Sequence, residues 1–252
     1  MKKRELLSLN ISVGSYADFI NNLLEMAQLR QSKYTCFANV HMLIEGHNDP
    51  SFANVINNAN LIAPDGKALT WALRILYGLK QDRVAGMDIL PDLLQQASDK
   101  KLSVYFYGGS EELLIQSKIF IMKHYPGLIT AGFNSPPFRE LTPEEEQDAI
   151  QKINASGANL VFVVLGCPKQ EKWMAAMLGK IDAVMLGIGG ALPVMVGVQK
   201  RAPKWMQEYG LEWLYRLKQE PSRLFFRYAI TNPLFVYLFF KEYIRLKILR
   251  MT

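Results

Sequence analysis

The sequence has few of the residues that build disulfides and metal sites. It contains two cysteines, Cys36 and Cys167, which lie far apart and show no metal-ligand spacing. Two distant cysteines predict a protein without a disulfide framework, as is typical of a reducing compartment. The three histidines, His41, His47 and His124, have no ligand spacing either. We therefore expect no bound metal.

Three nucleotide-binding motifs are also absent. The chain has no Asp-x-Asp triplet, which enzymes that hold a sugar-nucleotide diphosphate through a divalent cation usually need. It has no Gly-x-x-x-x-Gly-Lys phosphate loop, and no Gly-x-Gly-x-x-Gly follows a predicted strand. The missing glycine fingerprint argues against a nicotinamide-dependent oxidoreductase, one of the functions an α/β fold could have. We expect no organic cofactor.

The positive charge is confined to the last fifth of the chain. Residues 201–252 contain ten basic and four acidic residues, an excess equal to the net charge of +6 of the whole chain. Residues 1–200 are therefore neutral overall. A positive field of this kind attracts phosphates, nucleic acid or anionic lipid.

Short apolar runs alternate with amphipathic segments between residues 6 and 190. Seven runs are predicted as strands: 6–12, 34–40, 60–64, 104–109, 128–133, 159–166 and 182–190. Helix-start signals follow several of them, including Asp49-Pro50, Ser110-Glu111-Glu112 and Thr142-Pro143-Glu144-Glu145. This alternation predicts an α/β fold with helices packed around a mostly parallel sheet.

After residue 190 the pattern becomes helical, with breaks predicted at Pro203, Gly210, Pro221 and Pro233. We expect residues 1–197 to form the core and residues 198–252 to form a helical appendage.

Three predicted strand ends are rich in glycine or polar residues. In open α/β sheets, ligands bind at the carboxyl ends of the strands, and helix N-termini there offer free N–H groups. Together the three loops predict a cradle for a nucleotide diphosphate, although each glycine alone is more often just a tight turn. The residues concerned are Gly108, Gly109 and Ser110, then Gly166, Lys169 and Gln170, and finally Gly187 and Gly189.

The turn at Pro64-Asp65-Gly66 places a carboxylate at the end of an apolar strand. Asp65 could act there as a general base on a hydroxyl, or could simply cap the next helix. Arg83 could be an ordinary surface arginine, and Asn39 could satisfy a strand backbone.

Arginines and aromatic residues are interleaved in the segment GLEWLYRLKQEPSRLFFRY (210–228). Its arginines could serve a solvated surface, a nucleic acid, a membrane or an anionic substrate.

Further on, the apolar run 234–240 is too short to span a bilayer, which needs about 20 residues. Lys241, Arg245, Lys247 and Arg250 follow it among apolar residues. An apolar body with a basic rim predicts a helix at an anionic membrane surface. A helix packed on the core or on a second subunit is the alternative.

The chain resembles the WecG/TagA/CpsF family of bacterial glycosyltransferases over nearly its whole length, residues 6–227. The combination of PKQE, KRAP, GLEW and EPxRLxxRY, in family order, is specific. The matching pieces are FANVHM (37–42), APDG (63–66), RVAGMD (83–88), YFYGG (105–109), GCPKQEKWM (166–174), GIGGAL (187–192), KRAPKWM (200–206), GLEWLYRL (210–217) and EPSRLFFRY (220–228).

The resemblance implies a Rossmann-like core with a C-terminal appendage. It implies an inverting, metal-independent enzyme that moves a sugar, usually from UDP, to a polyprenyl-diphosphate-linked glycan. The family's proposed base falls on Asp65, and two further site residues fall on Asn39 and Arg83. The appendage arginines that are thought to close over the diphosphate fall on Arg216, Arg223 and Arg227.

Two departures from the family pattern concern the sugar pocket. Phe37 stands where many members have Thr, and Leu192-Pro193 stands where many have Phe-Asp. The donor sugar therefore stays open between N-acetylmannosamine, its uronic acid and a glucose type.

The resulting prediction is a UDP-sugar glycosyltransferase of cell-surface polysaccharide synthesis, cytoplasmic and peripheral on the inner face of the cell membrane. Its expected partners are the UDP-sugar, the polyprenyl-linked acceptor, an anionic membrane surface and possible further copies of the chain, but no nucleic acid. The alternative from another class is a non-enzymatic module that binds membranes or anions.

Overall fold

The computed structural model describes residues 1–247. Its chain folds into two compact units. The first unit contains Met1–Tyr16, Phe37–Ala85 and the segment from Arg201 onward, and the second contains Ala17–Cys36 and Gly86–Lys200. Ile248, Leu249 and Arg250 of the predicted basic tail lie outside the described residues. The predicted boundary between residues 197 and 198 stays a prediction.

A six-stranded parallel sheet forms the centre of the fold, as the apolar runs predict. Five of its strands are buried over most of their length, as expected where helices cover both faces of a parallel sheet, whereas the edge strand β6 is exposed or half-buried. The strands are β3 (Lys33–Ala38), β4 (Leu61–Pro64), β5 (Ser103–Gly108), β6 (Ile129–Asn134), β7 (Leu160–Val164) and β8 (Val184–Gly187). Their order is β4-β3-β8-β7-β5-β6.

The first predicted strand is wrong as a single strand of this sheet. Residues 6–12 belong instead to a separate antiparallel hairpin, in which β1 (Lys2–Leu6) pairs with β2 (Leu9–Val13). The turn needs a residue in the left-handed region, and Leu7 takes it with φ 56°. Leu is unusual at such a position, which is why the sequence conceals the turn.

The predicted helix-start signals are confirmed. Asp49 caps α3 with Pro50 as its first residue, Ser110 caps α6, and Thr142 forms a capping box with Glu145 at α7. The helices before residue 190 are α1 (Tyr16–Gln28), α2 (Val40–Asn48), α3 (Pro50–Asn57), α4 (Lys67–Tyr77), α5 (Gly86–Asp99), α6 (Glu111–His124), α7 (Pro143–Ala155) and α8 (Lys169–Ala176).

Within the described residues, the chain after Gly190 contains helices and no strands, as predicted. They are α9 (Ala191–Met195), α10 (Lys204–Glu208), α11 (Glu212–Gln219) and α12 (Pro221–Lys247). The predicted break at Pro233 is wrong, because α12 continues through it. In the first unit, α12 packs against α2 and α4 and buries Leu224, Phe235 and Leu238.

Candidate active site

Two backbone hydrogen bonds bring the three predicted catalytic residues onto neighbouring chain segments of the first unit. The Asp65 N–H donates to the carbonyl of Ala38, the residue before Asn39, with an N–O distance of 2.8 Å. The Val84 N–H donates to the carbonyl of Pro64, the residue before Asp65, at 2.9 Å. Asn39, Asp65 and Arg83 are therefore held side by side by the backbone.

Asn39 lies between the end of β3 and the start of α2. Its side-chain oxygen accepts a hydrogen bond from the Met42 N–H at 3.1 Å, which makes it the N-cap of α2. This cap satisfies a donor that the helix leaves without an intrahelical partner. Asn39 therefore satisfies a backbone group, the alternative role that the sequence analysis gave it, although this group belongs to a helix and not to a strand.

The loop that carries Arg83 is fixed by the residues beside it. The Gln81 side chain accepts from the Gly14 N–H at 3.0 Å and donates to the Gly14 carbonyl at 2.8 Å. The Asp82 carboxylate accepts from the Tyr16 N–H at 3.0 Å. Because Val84 is bonded to Pro64 as well, Arg83 lies on a loop held at three neighbouring positions.

Glu212, at the start of α11, forms an ion pair with Arg83. The Arg83 side chain is 11% exposed and that of Glu212 is 25% exposed, so the pair is largely removed from water. The Nε of Arg201 lies 3.9 Å from the other carboxylate oxygen of Glu212. Arg83 is therefore a partly buried residue with a defined partner, and the interpretation of it as an ordinary surface arginine is wrong.

The three predicted appendage arginines gather around one phenol. Burial raises the pKa of Tyr228 above its ordinary value, and the nearby charges of Arg216, Arg227 and Arg223 lower it by smaller amounts. The ring of Trp213 meets the Tyr228 ring edge-on, with centroids 5.7 Å apart. Trp213 and Tyr228 thus pack α11 against α12, whereas Phe225 and Phe226 are exposed.

These arginines differ in how they are neutralised. Arg223 pairs with Glu220 one turn away. Within residues 1–247, no carboxylate forms an ion pair with Arg216 or Arg227. Half-buried cations without a carboxylate favour binding of an anion from outside the chain.

His41 is a residue that the sequence did not single out. Burial and, to a smaller extent, the neighbouring charge of Arg227 lower its pKa to about 4. A neutral imidazole therefore lies beside Arg227, two residues after Asn39. The signal that could have revealed it is its place in FANVHM, two residues after Asn39.

In the second unit, the glycine-rich loops follow three adjacent strands of the sheet, β8, β7 and β5. Because these strands are parallel, the loops leave the same edge of the sheet. Gly108, Gly109, Gly166 and Gly189 all have positive φ angles. Ser110 caps α6 and is exposed, as is Lys169 at the start of α8. Substrate contact by these residues stays a prediction.

Gln170 joins two of these loops. Its amide oxygen accepts from the Gly166 N–H at 3.2 Å, and its amide nitrogen donates to the Gly187 carbonyl at 3.0 Å and to Glu171 at 2.8 Å. The side chain is buried and these contacts occupy its polar atoms. The structure therefore gives Gln170 a bracing role that the sequence did not suggest.

Glu171 was also missed, since a glutamate in the first turn of a helix is usually solvated. Its side chain is fully buried, and one of its oxygens has no hydrogen-bond partner in the protein. Burial raises the pKa of Glu171 to about 7, while hydrogen bonds from Gln170 and Cys167 act in the opposite direction. The second unit thus contains a carboxyl that titrates near neutrality.

No group of three or more His, Cys, Asp or Glu side chains is placed to hold a metal ion in the part of the chain that the structure describes. In the same residues, no helix has both the length and the apolar composition that crossing a bilayer requires.

A parallel sheet with glycine-rich loops at its strand ends, together with a cluster of arginines, is typical of α/β enzymes that act on phosphate-bearing substrates. The model of the family described as "Glycosyl transferase WecG/TagA/CpsF family" matches residues 4–248. The chain belongs to this family and is a glycosyltransferase. The prediction of an enzyme is confirmed, and the alternative of a non-enzymatic module is set aside.

One relative shows what a similar protein does. The chain is 29% identical over 239 residues to a protein of Bacillus spizizenii, covering 94% of this chain and 90% of the relative. That relative is named N-acetylglucosaminyldiphosphoundecaprenol N-acetyl-beta-D-mannosaminyltransferase.

Proposed function

We propose that this enzyme transfers a sugar from a UDP-sugar to a polyprenyl-diphosphate-linked glycan in cell-surface polysaccharide synthesis. The relative's name supports a lipid-diphosphate acceptor and makes N-acetylmannosamine the first donor sugar to test. The observation that carries the proposal is the backbone arrangement that gathers Asn39, Asp65 and Arg83 in the unit that also contains the arginine cluster.

In the proposed reaction, Asp65 is the general base. It takes the proton from the acceptor hydroxyl while that oxygen attacks the anomeric carbon of the donor sugar. The bond between the anomeric carbon and the diphosphate oxygen breaks, and UDP leaves with the bonding electrons. A single displacement of this kind inverts the configuration at the anomeric carbon.

The leaving diphosphate gains negative charge that the protein must stabilise. Guanidinium groups bind phosphate oxygens through two parallel hydrogen bonds, and fixed donors aimed at developing charge are the strongest aid to such a step. Arg216 and Arg227 suit this role because no carboxylate of residues 1–247 pairs with them. Arg83 and Asn39 contact the donor from the Asp65 side in this proposal.

We propose that the reaction needs no divalent metal, because the chain contains no Asp-x-Asp triplet to hold the diphosphate through a cation. Initial rates are measured in EDTA, in magnesium and in manganese. We expect the same rate in all three. Loss of activity in EDTA that either metal restores would contradict the proposal.

The donor is tested by a screen of UDP-sugars with a water-soluble analogue of a polyprenyl-diphosphate-linked N-acetylglucosamine. We expect turnover with at least one of N-acetylmannosamine, its uronic acid and glucose as the UDP-linked sugar. Two variants address the departures from the family pattern: Phe37 is exchanged for Thr, and Leu192-Pro193 for Phe-Asp. They test whether these positions determine which donor sugar is used. No transfer from any UDP-sugar would contradict the proposed donor class.

We also propose that α12 lies on an anionic membrane surface. Ile230, Tyr237 and Phe240 are each more than half exposed on it, although such residues are usually buried. Lys241 and Lys247 follow at the end of the described helix and can reach anionic lipid headgroups. This placement would bring the enzyme to a lipid-linked acceptor. A second copy of the chain on the same face is the alternative.

The membrane proposal needs substitutions and not a deletion, because removing residues from 231 onward would take away the buried Thr231, Phe235 and Leu238. The test variant is Ile230→Ser/Tyr237→Ser/Phe240→Ser. The control is Ile115→Ser/Ile119→Ser/Met122→Ser, which removes an equally exposed apolar face from α6. Sedimentation with phosphatidylglycerol vesicles should be lost in the first variant and kept in the second. Equal binding by both would contradict the proposal, and a fall in oligomer mass with unchanged vesicle binding would favour a second copy.

A further inference from the structure

The start of α11 is held against the segment that carries Asp65. Gly210, two residues before α11, has φ 70°, and a Cβ there would lie 3.2 Å from the Lys67 Cβ and 3.2 Å from the Trp71 ring. Lys67 begins α4 two residues after Asp65. A side chain at position 210 would therefore be strained by its φ angle and would need Lys67 or Trp71 to shift by a few tenths of an ångström, so the chain before α11 packs closely on the start of α4.

Glu212 makes the second attachment. It is the first residue of α11, and its carboxylate bonds to Arg83 on the loop tied to Pro64. A negative charge at this end also suits the helix dipole. Because the pair is largely buried, loss of one partner leaves the other charge poorly compensated.

The same carboxylate fixes the direction in which α11 presents its arginine. Glu212 and Arg216 are four residues apart, so they lie one above the other on one face of the helix. With Gly210 and Glu212 both fixed, α11 can neither shift nor rotate freely. The position of Arg216 relative to Arg83 is therefore set through Glu212.

We infer that Glu212 is a positioning residue for glycosyl transfer: its charged carboxylate holds Arg83 beside Asp65 and holds Arg216 in the arginine cluster. Glu212 itself does not touch the substrate. The inference rests on the proposed roles of Arg83 and Arg216, and it adds a residue whose effect on the reaction passes through them. A displacement of a catalytic group by about 1 Å can cost about a hundredfold in rate.

The test is a double-mutant cycle on the full chain, made of Glu212→Gln, Arg83→Gln and the variant with both changes. Glu208→Gln, on the exposed surface of α10, is the control for loss of an acid from the appendage. Glu212→Asp keeps the charge and serves if Glu212→Gln folds poorly. The measurements are kcat, the KM for the UDP-sugar and the Tm of each variant.

We expect Glu212→Gln to lower kcat about tenfold to a hundredfold, and to lower the Tm because Arg83 loses its partner, with the variant still folded at the assay temperature. Glu212→Asp should recover part of the loss, and Glu208→Gln should change nothing. The double variant should be no slower than Arg83→Gln alone, since residues that act through one another are not additive.

Three results would overturn the inference. Equal kcat in Glu212→Gln and the unmodified protein would do so, provided that Arg83→Gln is impaired. A lower KM with unchanged kcat would show that Glu212 competes with the donor's phosphates. Fully additive losses would show that Glu212 acts apart from Arg83. Full activity in Arg83→Gln would instead refute the proposed role of Arg83 in the reaction, on which the inference about Glu212 rests.

Discussion

The two compact units hold their candidate site residues in different ways. In the first unit they are ionic side chains, such as Asp65, Arg83 and Arg216, on segments joined by backbone hydrogen bonds and by Glu212. In the second unit most of them lie on glycine-rich loops, two of which are braced by the neutral amide of Gln170. A long charged side chain needs partners to fix it, whereas a loop is fixed by its own conformation. Substitutions in the first unit should therefore impair catalysis before stability, and substitutions in the second unit should impair stability before catalysis.

The largest effect is expected from Asp65→Asn, a substitution in the first unit that should impair catalysis and leave stability nearly unchanged. The change keeps the shape of the side chain and removes its basicity, so turnover should fall about a hundredfold or more. The Tm and the affinity for UDP should barely change. The control is Asp82→Asn, which keeps an oxygen that can accept from the Tyr16 N–H. Near-normal turnover in Asp65→Asn would remove Asp65 from the mechanism.

Arg216→Gln and Arg227→Gln should each lower kcat/KM by about tenfold to a hundredfold, the range for loss of a hydrogen bond to a charged group. Lys218→Gln is the matched control, because Lys218 is an exposed cation on the same helix as Arg216. Steady-state kinetics at fixed ionic strength measure all three. Equal losses in the control would point to the general field of the appendage instead of contacts with the diphosphate.

In the second unit, Gly108→Ala should act on stability. Gly108 has φ 102°, and a Cβ there would lie 2.6 Å from the Val164 carbonyl oxygen. Gly157→Ala, at φ 70° with nothing within 4 Å, isolates the backbone strain. Urea unfolding should show a cost of about 1–2 kcal/mol for Gly157→Ala. The clash should add about 1–3 kcal/mol for Gly108→Ala. Equal losses of stability in the two variants would mean that the chain at Val164, the end of β7, can move away from the added methyl group.

The last contrast concerns pH, to which the two units should respond with opposite signs. The pKa of His41 is lowered from 6.5 to about 4 by burial and Arg227, so its contribution to stability is complete above pH 6.5 and is lost as the pH falls towards 4. The pKa of Glu171 is raised from 4.5 to about 7 by burial, so its contribution is complete below pH 4.5 and is lost as the pH rises through 7.

His41→Gln and Glu171→Gln separate these two contributions. The free energy of unfolding is measured between pH 4 and pH 8. His41→Gln should flatten the decline on the acid side, and Glu171→Gln should flatten the decline towards neutral pH. If both variants keep the pH profile of the unmodified protein, neither group titrates as described.

The sequence predicted most of the fold and part of the candidate site. Apolar runs and capping residues are local signals, so the parallel strands and the helix starts at Asp49, Ser110 and Thr142 were found. Leu7 hid a hairpin because its left-handed conformation is unusual for leucine. Pro233 gave the opposite error: a helix break was predicted there, but α12 continues through it.

The missed parts of the site depend on contacts between distant positions. The partner of Arg83 is 129 residues away, and no local pattern predicts which glutamate it meets. Burial made Glu171 a carboxyl that titrates near neutrality, and burial of a polar residue is decided by packing. The motifs named Asn39 and Gln170, but the helix cap that Asn39 forms and the bracing bonds of Gln170 emerged only from the fold.

The sequence separation of Arg83 and Glu212 also bears on when the enzyme becomes active during its synthesis. At about 5–20 residues per second, a ribosome needs roughly 6–26 s to add the 129 residues that separate the two partners. Throughout that interval the nascent chain already carries Asp65 and Arg83 but lacks Glu212, the residue that pairs with Arg83. If Glu212 positions Arg83 as we infer, competence for sugar transfer waits until Glu212 has been synthesised and α11 can fold.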